Sequence, residues 1–239
     1  MKKILLTGGA GYIGSHIAVQ AITAGHDVVL YDNFCNSDRK VLAALNEITG
    51  KKFSCVEGDI RNTDLLSDTL SKYMVTDVIH LAGLKSVEES VEQPDLYMDN
   101  NVEGSKSLIA AMTASGVFKI IFSSSATVYG EPEYLPLDEK HPLSSVNPYA
   151  DSKLRIEQYL DGIANNNKVW KVINLRYFNP VGSHPSGLIG DNAKAMKANL
   201  MPMIARVLSG ERDFLEIYGS DYDTRDGTCL RDYIHISDL

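Results

Sequence analysis

Two short stretches hold residue types whose spacing points to chemistry. In "TGGAGYIGSH", Gly8, Gly11 and Gly14 spell GxxGxxG, and Gly9 makes GxGxxG available in the same letters. Glycines at this spacing let the chain turn tightly and bring bare backbone against a pyrophosphate, while the N-terminus of the following helix offers free amide donors to an anion. Asp32 follows at the end of the next β-rich run. A carboxylate there accepts from adenosine ribose hydroxyls and repels a 2′-phosphate, favouring NAD over NADP. It is also what a loop acid capping a turn looks like. In "NPYADSK", Asn147 suits a helix cap and Pro148 a first turn, so Tyr149 and Lys153 stand one above the other on one helix face. Such a pair is either catalytic or an inert surface pair, and the heptapeptide alone leaves both open.

The elements that must position these groups follow from periodicity. Short β-rich runs ("KILLTGG", "DVVLYDN", "FSCVEGD", "TDVIHLAG", "KIIFSSS", "WKVINLRYF") alternate with segments of helical period, including a long one around residues 95 to 115. The alternation predicts an α/β fold, a doubly wound Rossmann-like parallel sheet of seven strands, one more than the six runs quoted, covered on both faces. From Asn179 the pattern changes. "NPVGSHPSG" has loop chemistry, "NLMPMIARVLSG" is helical, and "FLEIYG" and "RDYIHI" read as short strands outside the main sheet. The expected division is a dinucleotide-binding domain over residues 1–178 and a partial, smaller substrate domain over 179–239.

Composition excludes some classes of partner. The 239 residues are 44% hydrophobic and 23% charged, with a net charge of −8 and no basic block, which argues against nucleic acid or an anionic membrane. Cys35, Cys55 and Cys229 lack the paired spacing of a disulfide or zinc framework, so no metal site is expected and a reducing compartment is. "MKKILLTGG" reaches its glycines before a signal-peptide core is long enough, and the reading is a cytoplasmic chain.

Taken together, "TGGAGYIGSH", "YDN", "EGDIRN", "LAGLKSVEES", "DNNVEG", "FSSSATVYG", "NPYADSK", "RYFNPVG" and "RDYIHISDL" resemble the extended short-chain dehydrogenase/reductases, and within them the NAD-dependent sugar-nucleotide epimerases. The resemblance runs through nearly the whole chain. It implies NAD as cofactor, a UDP-sugar as substrate, a homodimer, and interconversion of UDP-glucose and UDP-galactose by transient oxidation at sugar C4. It implies that Gly8, Gly11, Gly14, Tyr12 and Ile13 lie on the pyrophosphate, with Asp32, Asn33, Asn36 and Ser37 at the adenosine end and Asp59 and Ile60 flanking adenine. Leu81, Ala82, Gly83, Lys85 and Asn100 would line the cofactor's far side, and Phe178 would neighbour the nicotinamide. Leu81 stands where an aromatic residue is also seen.

The resemblance further gives Tyr149 the role of general base and Lys153 that of its electrostatic support, lowering a phenol pKa that is ordinarily near ~10. Ser125 would share a hydrogen bond with the sugar's 4-hydroxyl. Asn179, Asn199, Leu200 and Arg231 would anchor the nucleotide diphosphate. A 4,6-dehydratase is disfavoured, because Ala126 and Thr127 stand where its acidic pair belongs, and an NADPH-dependent reductase conflicts with Asp32. Epimerases of other UDP-sugars and a silent dinucleotide sensor on the same fold remain as alternatives. Relatives continue beyond "RDYIHISDL", so the resemblance also implies a chain truncated within its substrate domain.

Overall fold

A computed structural model of the chain describes residues 1–191 and 199–239. Alternating strands and helices open the fold: β1 (Lys3–Thr7), α1 (Tyr12–Thr23), β2 (Asp27–Asp32), α2 (Lys40–Thr49), β3 (Ser54–Glu57), α3 (Thr63–Lys72) and β4 (Asp77–His80). Next come α4 (Val87–Glu92), α5 (Pro94–Tyr97), a π-helical turn (Met98–Glu103), α6 (Gly104–Ala114), β5 (Lys119–Ser123), a 3₁₀ turn (Ala126–Tyr129), α7 (Pro148–Asn166) and β6 (Lys171–Leu175). The remaining elements are β7 (Asn179–Val181), α8 (Leu200–Leu208) and β8 (Tyr233–His235).

The main sheet runs β3-β2-β1-β4-β5-β6, with every neighbouring pair parallel. Side-chain alternation builds a core on each face. Ile4 and Leu6 of β1 pack with Val28 and Leu30 against Ala18, Val19 and Leu45 of α1 and α2. Leu5, Val29, Val78, Ile120 and Phe122 face the other way, against Leu66, Leu108, Met112, Ile156 and Leu160 of α3, α6 and α7.

Six strands form this sheet among the described residues, where the sequence predicts seven. After Leu175 the chain leaves the ladder. Pro180 has no N–H to give a central strand, and Asn179–Val181 instead pairs in parallel with Tyr233–His235. Part of "NPVGSHPSG", expected as loop, is therefore β7, and "RDYIHI" supplies β8 as expected. "FLEIYG" forms no strand. Phe214, Ile217 and Tyr218 are exposed, and the stretch joins neither sheet of the described residues. No described helix is long and apolar enough to cross a membrane.

Strand order reverses between β1 and β4, and a doubly wound sheet opens its ligand crevice at that point, beyond the strands' C-terminal ends. The loops after β1, β4 and β5 meet there.

Candidate active site

The turn after β1 is shaped by close approach. Gly8 has φ +68°, and a Cβ on it would stand 2.7 Å from the Ala82 nitrogen in the loop after β4. A Cβ on Gly14 would stand 2.4 Å from the Gly8 carbonyl oxygen, so only hydrogen there lets α1 pack onto the turn. Gly11 is the N-cap of α1 and supplies no side-chain cap, and no acid stands in the first turn. The amides of Tyr12, Ile13 and Gly14 thus open a helix end that attracts an anion and repels none. The Tyr12 hydroxyl donates to the Gly182 carbonyl at 2.6 Å. Its pKa is pushed up to about 12, by burial first and by Asp191 second, which keeps it a neutral donor.

At the end of β2 the buried Asp32 carboxylate accepts from Ala10 N at 2.9 Å, Phe34 N at 2.9 Å and Ser37 Oγ at 3.0 Å. Asn33 Nδ2 reaches Asp59 Oδ2 at 3.4 Å, and Arg61 holds the Asp59 carboxyl down to about 2. A shallow depression of about 340 Å³ lined by Asn33, Phe34, Ser37, Asp38 and Arg39 opens beside Asp32. Asn36 is exposed next to it, and Ile60 is buried below Asp59. The sequence-predicted adenosine residues are thus gathered at the ends of β2 and β3.

Beyond β4, Leu81 N donates to Thr7 O at 3.0 Å, bringing Leu81, Ala82 and Gly83 alongside the glycine turn. Lys85 Nζ lies 3.9 Å from Asp191 Oδ1. Asn100 sits on the π-helical turn and donates to Asn101 Oδ1 at 2.9 Å. Asn101, absent from the sequence reading, is the buried member of this pair. Its Oδ1 accepts from Leu84 N at 2.8 Å, and its Nδ2 donates to Leu84 O at 3.0 Å and Ser152 Oγ at 3.1 Å. It ties the loop after β4 to α7. A π-helical insertion, which re-aims side chains and recurs at functional sites, leaves no periodic trace in a sequence.

Helix α7 begins as its sequence requires: Asn147 Oδ1 accepts from Ala150 N at 2.8 Å, and Pro148 opens the first turn. Tyr149 and Lys153 share one face, with Lys153 Nζ 5.9 Å from the Tyr149 ring centroid. Ser125 caps the 3₁₀ turn after β5, its Oγ accepting from Thr127 N at 3.2 Å. Its hydroxyl also stands close enough to the Tyr149 phenol to act on its pKa.

The phenol does not follow the expected direction. Burial raises the Tyr149 pKa, and the Ser125 side chain opposes this without reversing it. Lys153 is buried too, which brings its pKa down to about 8. Its ammonium donates to the Ser123 carbonyl at 2.8 Å and lies 5.0 Å from the Phe122 ring. The amine is spent on the backbone of β5 rather than directly on the phenol.

Two further groups escaped the sequence reading. Tyr177 Oη hydrogen-bonds Ser123 Oγ, and Glu157 on α7 receives Ser124 Oγ and a fork from Arg176. Phe178 follows, partly buried. Of the expected diphosphate anchors, Asn179 Nδ2 donates to Asp232 O at 2.9 Å and so fastens β7 beside β8. Arg231 is exposed and donates to Leu230 O at 2.7 Å, and Asn199 and Leu200 are exposed at the start of α8.

The sequence matches the NAD dependent epimerase/dehydratase family over residues 4–239. A UDP-glucose 4-epimerase of Neisseria meningitidis serogroup C is 48% identical over 240 residues, covering 100% of this chain and 71% of that protein. The crystal structure of UDP-glucose 4-epimerase from Stenotrophomonas maltophila with bound NAD and formylated UDP-arabinopyranose superposes with a TM-score of 0.97 at 43% identity. It covers 100% of this chain and 71% of that one. The corresponding enzyme from Bifidobacterium longum, in complex with NAD+ and UDP, gives 0.96 at 45% identity, over 99% and 71%.

Proposed function

The chain belongs to the NAD dependent epimerase/dehydratase family, and on that premise we propose that it interconverts UDP-glucose and UDP-galactose with NAD bound in the crevice between β1 and β4. The observation that carries the reading is the meeting of Ser125, Tyr149 and Lys153 beside that crevice.

The residues fit NAD. Gly8 and Gly14 keep open the space a Cβ would fill, the α1 N-terminus is uncapped, and Asp32 retains acceptor capacity after its three protein donors. Gly11, Tyr12 and Ile13 would hold the pyrophosphate. Asn33, Asn36, Ser37, Asp59 and Ile60 would hold the adenosine, and Leu81 to Gly83, Lys85, Asn100 and Phe178 the nicotinamide half. When bound, NAD supplies the hydride acceptor and donor that oxidises and then reduces sugar C4.

The chain's own residues do the rest. Tyr149 takes the proton of the 4-hydroxyl and later returns it, and Ser125, beside the phenol, orients that hydroxyl. Burial holds the Tyr149 proton on, so the base is made competent only by added positive charge at the crevice. Lys153 fixes the strand end from which Ser125 projects. The UDP moiety, gripped by Asn179, Asn199, Leu200 and Arg231, anchors the substrate away from C4, leaving the sugar free to present its other face.

The six-stranded sheet ends at Leu175, which supports a cofactor-binding domain over residues 1–178 and substrate-binding elements over 179–239. The reading includes a homodimer working in the cytoplasm, which sedimentation and cell fractionation test. A second substrate reading, another UDP-sugar, is favoured by the formylated UDP-arabinopyranose bound in the Stenotrophomonas structure. The deciding experiment incubates the purified protein and NAD with UDP-galactose, and separately with UDP-N-acetylgalactosamine and UDP-glucuronate, and follows the C4 epimer of each. The proposal requires UDP-galactose to be turned over fastest.

A further inference from the structure

Glu157 lies one turn beyond Lys153 on α7 and is 1% exposed. A carboxylate this deep is costly unless paired and hydrogen-bonded. It is both. Arg176 Nε donates to Oε1 at 3.0 Å and Oε2 at 3.1 Å, Nη2 donates to Oε2 at 2.6 Å, and Ser124 Oγ donates to Oε1. Arg176 follows β6 directly, and its guanidinium carbon also lies 5.3 Å over the Tyr129 ring. One carboxylate therefore joins three elements: the end of β5, the end of β6 and the catalytic helix.

Its partners stand next to the reacting groups. Ser124 lies between Ser123, whose carbonyl receives Lys153 Nζ, and Ser125, whose side chain acts on the Tyr149 phenol. We propose that Glu157 is a positioning residue for the epimerisation: it fixes the Ser123–Ser125 segment against α7, and its charge keeps the buried Lys153 protonated. The claim rests on the function proposed above.

The charges around Lys153 support the second half. Among the described residues, Glu157 is the charge that favours its ammonium. His80 faces it from β4 and is neutral, its pKa pushed down to about 3 by burial and then by Lys153 itself. Tyr149 and Tyr177 are phenols with raised pKa values. Asn101 on the π-helical turn is uncharged, Asp99 beside it pairs with Arg61, and Glu89 of α4 accepts from Tyr97. Arg176 is a cation paired with Glu157 at 2.6 Å.

The test is ε-13C lysine NMR of the cofactor-free protein against pH, the Lys153 signal being the one lost in Lys153→Ala. The wild-type midpoint is expected near 8. Glu157→Gln keeps the shape and removes the charge, and should lower the midpoint by about one unit. Arg176→Gln unmasks the carboxylate and should raise it. In the NAD-loaded enzyme the alkaline limb of kcat should move in the same opposite directions, with kcat of Glu157→Gln down about tenfold or more and KM for UDP-galactose little changed. Ser124→Ala should lower kcat and leave the limb in place.

A folded Glu157→Gln whose Lys153 midpoint stays at the wild-type value overturns the proposal. If that variant does not fold, an unshifted midpoint in Arg176→Gln, or an unchanged kcat in Ser124→Ala, overturns it instead. A wild-type protein that fails to epimerise any UDP-sugar contradicts the proposed function, while the NMR titration still decides the electrostatic role of Glu157.

Discussion

The Ala10 backbone N–H donates to Asp32 Oδ2 at 2.9 Å, locking the glycine turn after β1 to the end of β2 across 22 residues of sequence. The same carboxylate takes Phe34 N and Ser37 Oγ on its other oxygen. The residue expected to meet the ribose thus also holds the loop that surrounds it, and the turn-capping reading of Asp32 describes its contacts with the protein.

Asp32→Asn should narrow the preference for NAD over NADP by about tenfold or more, because the change removes the negative charge that repels a 2′-phosphate. Titrating both dinucleotides against wild type and variant measures it. A preference that does not change would take discrimination away from Asp32.

Gly14→Ala places a methyl carbon 2.4 Å from the Gly8 oxygen unless α1 shifts. Destabilisation of roughly 1–3 kcal/mol is expected for such overpacking, together with weakened NAD binding. Thermal denaturation and NAD titration check it. Wild-type values for both would show that the turn is looser than its contacts imply.

Asn147→Ala deletes the cap of α7, which should cost about 0.5–2 kcal/mol. Tyr149 lies in that first turn, so kcat should fall while NAD affinity stays near wild type. Chemical denaturation and steady-state kinetics separate the two effects, and an unchanged kcat would argue that packing alone orders the turn.

His80 links β1, β4 and α6: its Nδ1 lies 2.7 Å from Thr7 Oγ1 and its Nε2 2.8 Å from Ser105 Oγ. Burial lowers its pKa to about 3 in the folded chain, against about 6.5 unfolded. The folded state must keep it neutral, so this contribution is present above about pH 6.5 and is lost as pH falls towards 3. Stability measured over that window should fall by about 1.4 kcal/mol per pH unit more in wild type than in His80→Gln. Equal slopes would place the imidazole's proton elsewhere.

Much of this was legible in the sequence, for physical reasons. "KILLT" and "DVVLYD" are β-rich runs bounded by turn signals, and the Asn-Pro start of α7 is a local capping rule, so these elements and the face shared by Tyr149 and Lys153 could be read directly. What escaped depends on partners distant in sequence. Asn179–Val181 becomes a strand because Tyr233–His235 lies beside it, and "FLEIYG" has strand composition but joins neither sheet of the described residues. Glu157 and Arg176 look like ordinary charges until folding buries the carboxylate and sets the half-buried guanidinium on it, and the raised Tyr149 pKa follows from a burial that spacing does not encode.

The most direct test of the account follows deuterium placed at C4 of UDP-galactose through turnover by the purified protein with NAD. Hydride removal and return at one carbon within one site predicts UDP-glucose carrying the deuterium at C4, no net accumulation of NADH, and loss of at least about 10²-fold in rate on Tyr149→Phe with NAD still bound. UDP-glucose that has exchanged its C4 label for solvent hydrogen, or a Phe variant as fast as the parent, would contradict it.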